Sequence, residues 1–146
     1  MAQTLTLFPS ATRVTAVSDS AGDSFDVADA KRVIVLLDLT ATAGVAGDVL
    51  DVYVDVSLDG TKWLNAAHFT QLAGDAAAMS AYVILDPTTP GTAPIVTTAD
   101  CASGAVRPSA WGKYIRGRYT LVDAGAHGQS VTFSLKSIVQ PGALSS

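Results

Sequence analysis

The chain has 146 residues, which suits a single domain with one core, and it carries a formal net charge of −4 at pH 7. That charge argues against a nucleic-acid partner, and no apolar run approaches the roughly 20 residues that a membrane-spanning helix needs. Only 15% of the residues are charged, against about 25% in most soluble domains. A chain so poor in charge, with a mean hydropathy of +0.34, is typical of proteins that bury surface in an oligomer or a larger assembly.

The kinds of residue indicate the fold class. All 13 acidic residues are Asp, no Glu is present, and Thr, Val, Gly and Ser are plentiful. Because Asp favours turns whereas Glu and Lys favour helices, the composition predicts an all-β protein. Cys101 is the only cysteine, which excludes a disulfide within the chain and fits assembly in a reducing cytoplasm.

Residues 1–13 are predicted to form an extended N-terminal arm or an edge strand. The segment alternates over 4–8 and then meets Pro9, which cannot donate a hydrogen bond to a strand ladder. A second short strand is predicted over 12–17, and the polar residues 18–30 are predicted to form a loop. The candidate partner-binding side chains of the arm are Leu5, Leu7 and Phe8.

The segment 31–43 contains an unbroken apolar run from Val33 to Leu37. Such a run predicts a strand that is covered on both faces. In a sandwich the core covers one face, so the other cover is expected to be a loop, an arm or another subunit.

A clean alternation over 49–60 predicts a half-buried strand. The residues predicted to face the core are Leu50, Val52, Val54, Val56 and Leu58. The residues predicted to face outward are Asp51, Tyr53, Asp55 and Ser57.

The pair Asp59 and Gly60 predicts a tight turn, because glycine accepts a positive φ without steric cost. The returning strand is predicted over 61–72, with a bulge near Ala66 and Ala67. Two interpretations of its Trp63 stay open. The ring either packs on the sheet edge or, together with Tyr53, stacks on a sugar.

A strand is predicted over 80–86, and the long connection 87–112 follows it with four of the six prolines. Connections of this length without secondary structure usually carry function or reach a partner. The candidate interface residues of this loop are Pro87, Pro90, Pro94, Ile95, Arg107 and Trp111.

The segment 113–122 alternates again and is predicted to be a strand. The one basic cluster lies on it and consists of Lys113, Arg116 and Arg118. If this strand neighbours 49–58, Arg116 and Arg118 are expected to pair with Asp51 and Asp55. The alternative is a docking patch for an acidic partner.

A final strand over 129–139, with Val131, Phe133 and Leu135 inward, brings the total to seven or eight. The predicted architecture is a single antiparallel β-sandwich of jelly-roll or immunoglobulin-like type. The domain is predicted to span 14–140, between the arm and a C-terminal tail at 141–146.

No pattern predicts catalysis, because the sequence has no Gly-x-Ser-x-Gly motif and no pair of Glu residues. We therefore expect neither enzyme activity nor a cofactor. No metal site is expected either, because His68, His127 and Cys101 lie on separate segments without ligand spacing. The loop residues Asp19, Asp23, Asp26 and Asp29 also lack the spacing of a calcium-binding loop.

Three stretches carry a family resemblance when they are taken in order. They are LDVYVDVSLDGTKWLNAAHFTQLAG, then GKYIRGRYTL, and finally SVTFSLKSIV. Over roughly 32–139 the chain resembles small β-sandwich virion structural proteins of tailed bacteriophages. The resemblance implies a capsid decoration, or cement, protein that forms trimers and binds the major capsid protein on the surface of the virion after assembly in the host cytoplasm.

Two alternatives to this role remain. Within the virion, the chain is then a structural protein of the head–tail junction or of the tail. Outside that class, it is a carbohydrate-binding β-sandwich module. Neither nucleic acid nor membrane is expected as a partner.

Overall fold

A computed structural model describes residues 2–88, 94–97, 99–107, 109–125 and 128–142. These residues form ten β-strands and no helix. The strands are β1 (Gln3–Arg13), β2 (Val17–Ala21), β3 (Phe25–Asp26), β4 (Ala30–Ala43), β5 (Val49–Ser57), β6 (Trp63–His68), β7 (Leu72–Ala73), β8 (Met79–Leu85), β9 (Tyr114–Val122) and β10 (Ser130–Pro141). The all-β prediction is confirmed, with two more strands than the upper limit that the sequence predicted.

The strands make two antiparallel sheets that face each other. The first sheet has the order β1-β10-β4-β8, and the second has the order β2-β9-β5-β6. The two-residue strands β3 and β7 extend the second sheet by pairing with β9 and β5. The remaining eight strands pair in nested order, the first with the last and so on towards the middle of the chain. The pairs are β1 with β10, β2 with β9, β4 with β8 and β5 with β6.

This nested pairing is that of a jelly roll, in which one long antiparallel hairpin wraps into two sheets. An immunoglobulin-like sandwich instead places its first strand beside its second. Here β1 pairs with β10, not with β2. The jelly roll is therefore the one of the two predicted architectures that the chain adopts.

The core lies between the two sheets and is filled by alternate residues of each strand. From β4 it receives Val33, Val35, Leu37 and Leu39, and from β5 it receives Leu50, Val52, Val54 and Val56. All three residues predicted to point inward from β10 are fully buried. At one end Phe8, Tyr119 and Phe133 meet edge to face, with ring centroids 5.3 to 6.0 Å apart.

The N-terminal segment is the edge strand of the first sheet. Its Thr4 lies opposite Ile138 of β10, and a register shift at residues 6–8 lets the consecutive Leu7 and Phe8 both turn into the core. Two of the three candidate partner-binding residues of the arm are thus core residues of their own domain. Leu5 is half-buried and packs against the same core.

The burial of β4 and β5 differs from the prediction in opposite directions. On β4 the side chains of Ile34 and Leu36 are only half-buried, although the apolar run predicts cover on both faces. On β5 every residue from Leu50 to Ser57 is buried, including the face predicted to be outward. Leu58 was predicted to point inward but is 74% exposed, because β5 ends at Ser57 and the turn begins there.

The hairpin from β5 to β6 has the predicted form. Ser57 lies opposite Trp63, and Gly60 in the turn has a φ of 82°. Val54 pairs with Ala67 and Asp55 with Asn65, so Ala66 is the extra residue of a bulge. Turn and bulge together set which face of β6 meets the core.

Candidate functional site

The long connection after β8 folds back over the polar face of the second sheet. The backbone N–H of Cys101 donates to Asn65 Oδ1 at 2.7 Å, and the backbone N–H of Arg107 donates to the carbonyl of Ala66 at 2.7 Å. The Cys101 carbonyl also lies 3.0 Å from Nδ1 of His68. The described part of this loop from 99 to 107 is therefore packed against its own domain, contrary to the prediction that it reaches out.

The candidate interface residues of the loop have different surroundings. Arg107 donates through Nη1 to the carbonyls of Asn65 and Ala99, so its guanidinium holds the loop against β6. Ile95 and Trp111 are half-buried against the core. Those that are exposed are Pro87 and Pro94. Pro90 lies outside the described residues.

A buried ion-pair network lies beneath the loop. Asp55 is 2% exposed and accepts from Nε of Arg118 at 2.9 Å and from Nε of Arg116 at 3.2 Å. Arg118 also donates to Asp100 of the loop at 2.6 Å. Burial alone lowers the pKa of the Arg118 guanidinium, but the carboxylates of Asp55 and Asp100 outweigh burial and raise that pKa above its usual value. Both arginines are thus held in internal pairs.

The cross-strand interpretation of the basic cluster is correct for Asp55 and wrong for Asp51. In the register between β5 and β9, Asp55 lies opposite Arg116, whereas Asp51 lies opposite Thr120. Asp51 instead binds Nε2 of His68 at 2.8 Å. Arg118 does not form part of an exposed docking patch, because its side chain is only 10% exposed.

The two aromatic residues of the sugar-stacking hypothesis do not form an open platform. Tyr53 stacks on the His68 ring, with centroids 4.2 Å apart, and the Arg118 guanidinium lies 4.1 Å from the centroid of the Tyr53 ring. His68 and Arg118 come from strands on opposite sides of β5, so both faces of the Tyr53 ring are covered. Trp63 has the Arg116 guanidinium 4.2 Å from its ring centroid.

The described residues contain no cluster of three or more side chains able to hold a metal ion. His68 is engaged by Asp51 and Cys101, and burial raises the pKa of the Cys101 thiol. His127 lies outside the described residues. Within the described ranges no helix is long and apolar enough to cross a membrane.

A group of partly exposed apolar residues lies on the outside of the first sheet. It consists of Ile34, Leu36, Tyr82, Ile84 and Ile138, which we call the outer face. Ile34 lies between Ile138 and Ile84 in the register, and Leu36 lies beside Tyr82. Tyr82 is 66% exposed, Ile84 40% and Ile138 37%.

Only part of the outer face was visible in the sequence. The apolar run of β4 predicts cover on both faces, but the structure leaves Ile34 and Leu36 half-exposed on the second face. Tyr82 and Ile84 were not predicted to be exposed. The alternation of β8 nevertheless places them on the opposite face of the strand from Val83 and Leu85. The sequence signal for these two residues is the alternation of β8, once β8 is paired with the apolar strand β4.

No protein-family model matches the chain, and no curated protein matches its sequence. Its fold is similar to that of chains in infectious bursal disease virus. The similar chain of strain Gt has a TM-score of 0.52 at 11% identity, covering 98% of this chain and 32% of the viral one. That of the virus-derived T=1 particles has a TM-score of 0.51 at 12% identity, covering 97% and 32%. For strain Gx the TM-score is 0.50 at 13% identity, covering 98% and 33%. The chain spans about a third of the length of these viral chains and has a fold similar to the part that it matches.

Proposed function

We propose that this chain is a non-enzymatic structural protein of a virus particle. The observation that carries the proposal is the jelly-roll order of its two sheets, which it shares over nearly its whole length with chains of infectious bursal disease virus particles. Jelly rolls also occur in lectins and cupins, so the fold alone does not select the role. The outer face and the low charge of the chain add support, because both favour burial against protein.

The same features support a capsid decoration protein in particular. Such a protein binds the assembled shell and not its free subunits, and it therefore stabilises the shell by mass action. Hydrogen bonds of Asp100 and Cys101 hold the loop against the second sheet, which suits a protein that binds as a preformed unit. The sequence resemblance to virion proteins of tailed phages implies the major capsid protein and further copies of this chain, as a trimer, for partners. A place in the head–tail junction or the tail is the alternative within the virion.

The copy number in purified particles tests this proposal. Quantitative mass spectrometry of particles from the virus that encodes the chain should detect it in large excess over any tail or neck protein. A copy number close to that of the neck proteins would move the chain to the head–tail junction or the tail. Its absence from intact particles would overturn the structural role altogether.

A second experiment measures the cementing effect. Particles assembled without the chain should open at a lower temperature or a lower osmotic shock than complete particles. Adding the purified protein back should restore the higher threshold in proportion to occupancy. Equal thresholds with and without bound protein would rule out decoration while leaving other virion roles in place.

A further inference from the structure

The four edges of the two sheets are not protected equally. Exposed edge strands invite pairing with other chains, and proteins blunt them with proline, charge, bulges, short length or a covering loop. β1 carries Pro9 and two register shifts, and β2 has only five residues, with Asp19 among them. The edge of β6 is covered by the loop, where Ala105 and Arg107 pair with it.

β8 is the exception. Its seven residues, Met79–Leu85, contain no charge and no proline, and they pair with β4 without any register shift. Among the described residues, no backbone group outside β4 hydrogen-bonds to this strand. β8 therefore presents a straight, uncharged row of backbone donors and acceptors beside the outer face.

We infer that β8 pairs antiparallel with β8 of a second copy of this chain, around a two-fold axis at Tyr82. The inference rests on the proposed self-assembly, but it makes the unit a two-fold dimer in place of the trimer that the resemblance implies. The pairing joins two four-stranded sheets into one of eight strands. It is isologous, so the same strand supplies both halves of the contact and no second complementary surface is needed.

The charges on this face permit the contact. The charged side chains near β8 include Asp86, directly after the strand, Asp38 and Arg32 on the neighbouring strand β4, and Lys136, two strands from β8. Around an axis at Tyr82 the two Asp86 residues lie eight residues apart along the strands, or about 26 Å. With strands about 4.8 Å apart, the two Lys136 positions of a pair are separated by about 24 Å, well beyond the ~8 Å over which charges act in physiological salt. A second copy thus meets an edge without like-charge repulsion.

The side chains on the outer face also match across the axis. Tyr82 lies opposite Tyr82 of the second copy, with Leu36 behind each ring. Ile84 lies opposite Ser80, whose hydroxyl donates to Asp38 at 2.9 Å. Aromatic cross-strand pairs are among the favourable ones in antiparallel sheets. The outer faces of two copies then form one continuous apolar surface.

The mass of the purified protein in solution tests the pairing. Light scattering after gel filtration should give a dimer, and Tyr82→Lys should weaken association roughly tenfold or more, because two like charges then lie opposite each other. Leu58→Lys is the matched control, since Leu58 is also a large, exposed apolar residue (74%) but lies in the turn after β5 of the second sheet, whereas β8 belongs to the first sheet. A monomeric parent chain, or a trimer unaffected by Tyr82→Lys, would overturn the inference.

Disulfide trapping tests the register independently of association strength. Residues directly opposite in an antiparallel pair have Cα atoms about 4.5–5.5 Å apart, which a disulfide can bridge. Tyr82→Cys should therefore cross-link on mild oxidation. Ile84→Cys should not, because the two thiols lie about 13 Å apart along the strands. The native Cys101 is buried and gives no background.

These results separate the inference from the proposed function. Cross-linking through Tyr82→Cys in a chain that is absent from particles would keep the pairing and reject the virion role. Abundant protein in particles without cross-linking, either there or in solution, would reject the pairing and keep the role. Equal cross-linking by Tyr82→Cys and Ile84→Cys would indicate random collision and would also overturn the pairing.

Discussion

Nε of Arg118 lies 2.9 Å from a carboxylate oxygen of Asp55, and the two side chains are only 10% and 3% exposed. A buried charge is tolerated only when its partners replace the lost water. Asp55 meets this condition through Arg118, Arg116 and Nδ2 of Asn65, which donates at 3.0 Å. One carboxylate thereby ties together β5, β6 and β9.

Asp55→Ala should lower the free energy of unfolding by about 3–5 kcal/mol, because it leaves the buried Arg118 and the half-buried Arg116 without their shared acceptor. Urea denaturation followed by tryptophan fluorescence measures the loss. Asp26→Ala is the control, since Asp26 and Lys113 form an exposed pair at 3.8 Å that is worth at most about 1 kcal/mol. Equal effects of the two substitutions would mean that the buried network contributes no more than a surface pair.

Gly112→Ala should destabilise the domain by about 1–3 kcal/mol through overpacking. A side chain at 112 would collide with the backbone of Ser57, which cannot move without disturbing β5. Gly47→Ala is the matched control, because the only neighbour that a Cβ meets at 47 is Ala124 at 3.8 Å, an ordinary contact. Thermal unfolding should show a lower midpoint for the first variant and little change for the second.

Ser137→Ala should raise the free energy of unfolding by about 1 kcal/mol. The Ser137 side chain is fully buried, and its hydroxyl has no hydrogen-bond partner among the described residues. Replacing an unsatisfied buried hydroxyl with a methyl group removes a desolvation cost. Ser80→Ala, which removes a satisfied and exposed hydroxyl, should change stability little. A destabilised Ser137→Ala variant would show that the hydroxyl has a partner after all.

Asp59 predicts a pH dependence of the hairpin. The backbone N–H groups of Lys62 and Thr61 donate to its carboxylate, each at 2.9 Å, and they lower the pKa of Asp59 well below its usual value. A lowered pKa in the folded state adds stability that is complete above the unfolded value near 4 and is lost as the pH falls through the folded value. Asp59→Ala should therefore destabilise the protein at pH 7.

The difference in urea midpoint between the parent and Asp59→Ala should be largest at neutral pH. It should shrink progressively as the pH is lowered from about 4. Asp75→Ala removes an exposed carboxylate elsewhere and serves as the control. A difference between the parent and Asp59→Ala that stays constant down to pH 2 would contradict the role of the ionised carboxylate.

The sequence predicts most strands and turns well because alternation and Asp-Gly chemistry are local. It is wrong at the start of the chain, where β2 and β3 replace the strand predicted over 12–17 and the loop predicted over 18–30. Gly60 and the bulge at Ala66 lie where the sequence places them. The segments that cover each strand are harder to predict, because they lie far away in the sequence. The polar face of β5 is buried because Asp100 and Cys101 of the loop pack over it. No residue within β5 itself indicates this contact.

The same reason explains the error at β4. An unbroken apolar run needs cover on both faces, but the sequence does not say whether the second cover is in the same chain. Ile34 and Leu36 lie beside side chains of the neighbouring strands of their own sheet and stay half-exposed. The long loop was expected to reach a partner, yet its described part covers the other sheet. The outer face therefore stays partly exposed.

The nested pairing of strands also governs how the chain folds. β10 lies between β1 and β4, and Thr12 bonds Thr132 across a separation of 120 residues. Such distant contacts have a high loop-closure cost and make folding slow, in the range of milliseconds to seconds or longer for β-sandwiches. Until β10 arrives, β4 is an open apolar edge prone to mispairing with other chains. Slow pairing of β10 therefore lowers the concentration of newly made chains at which aggregation competes with assembly.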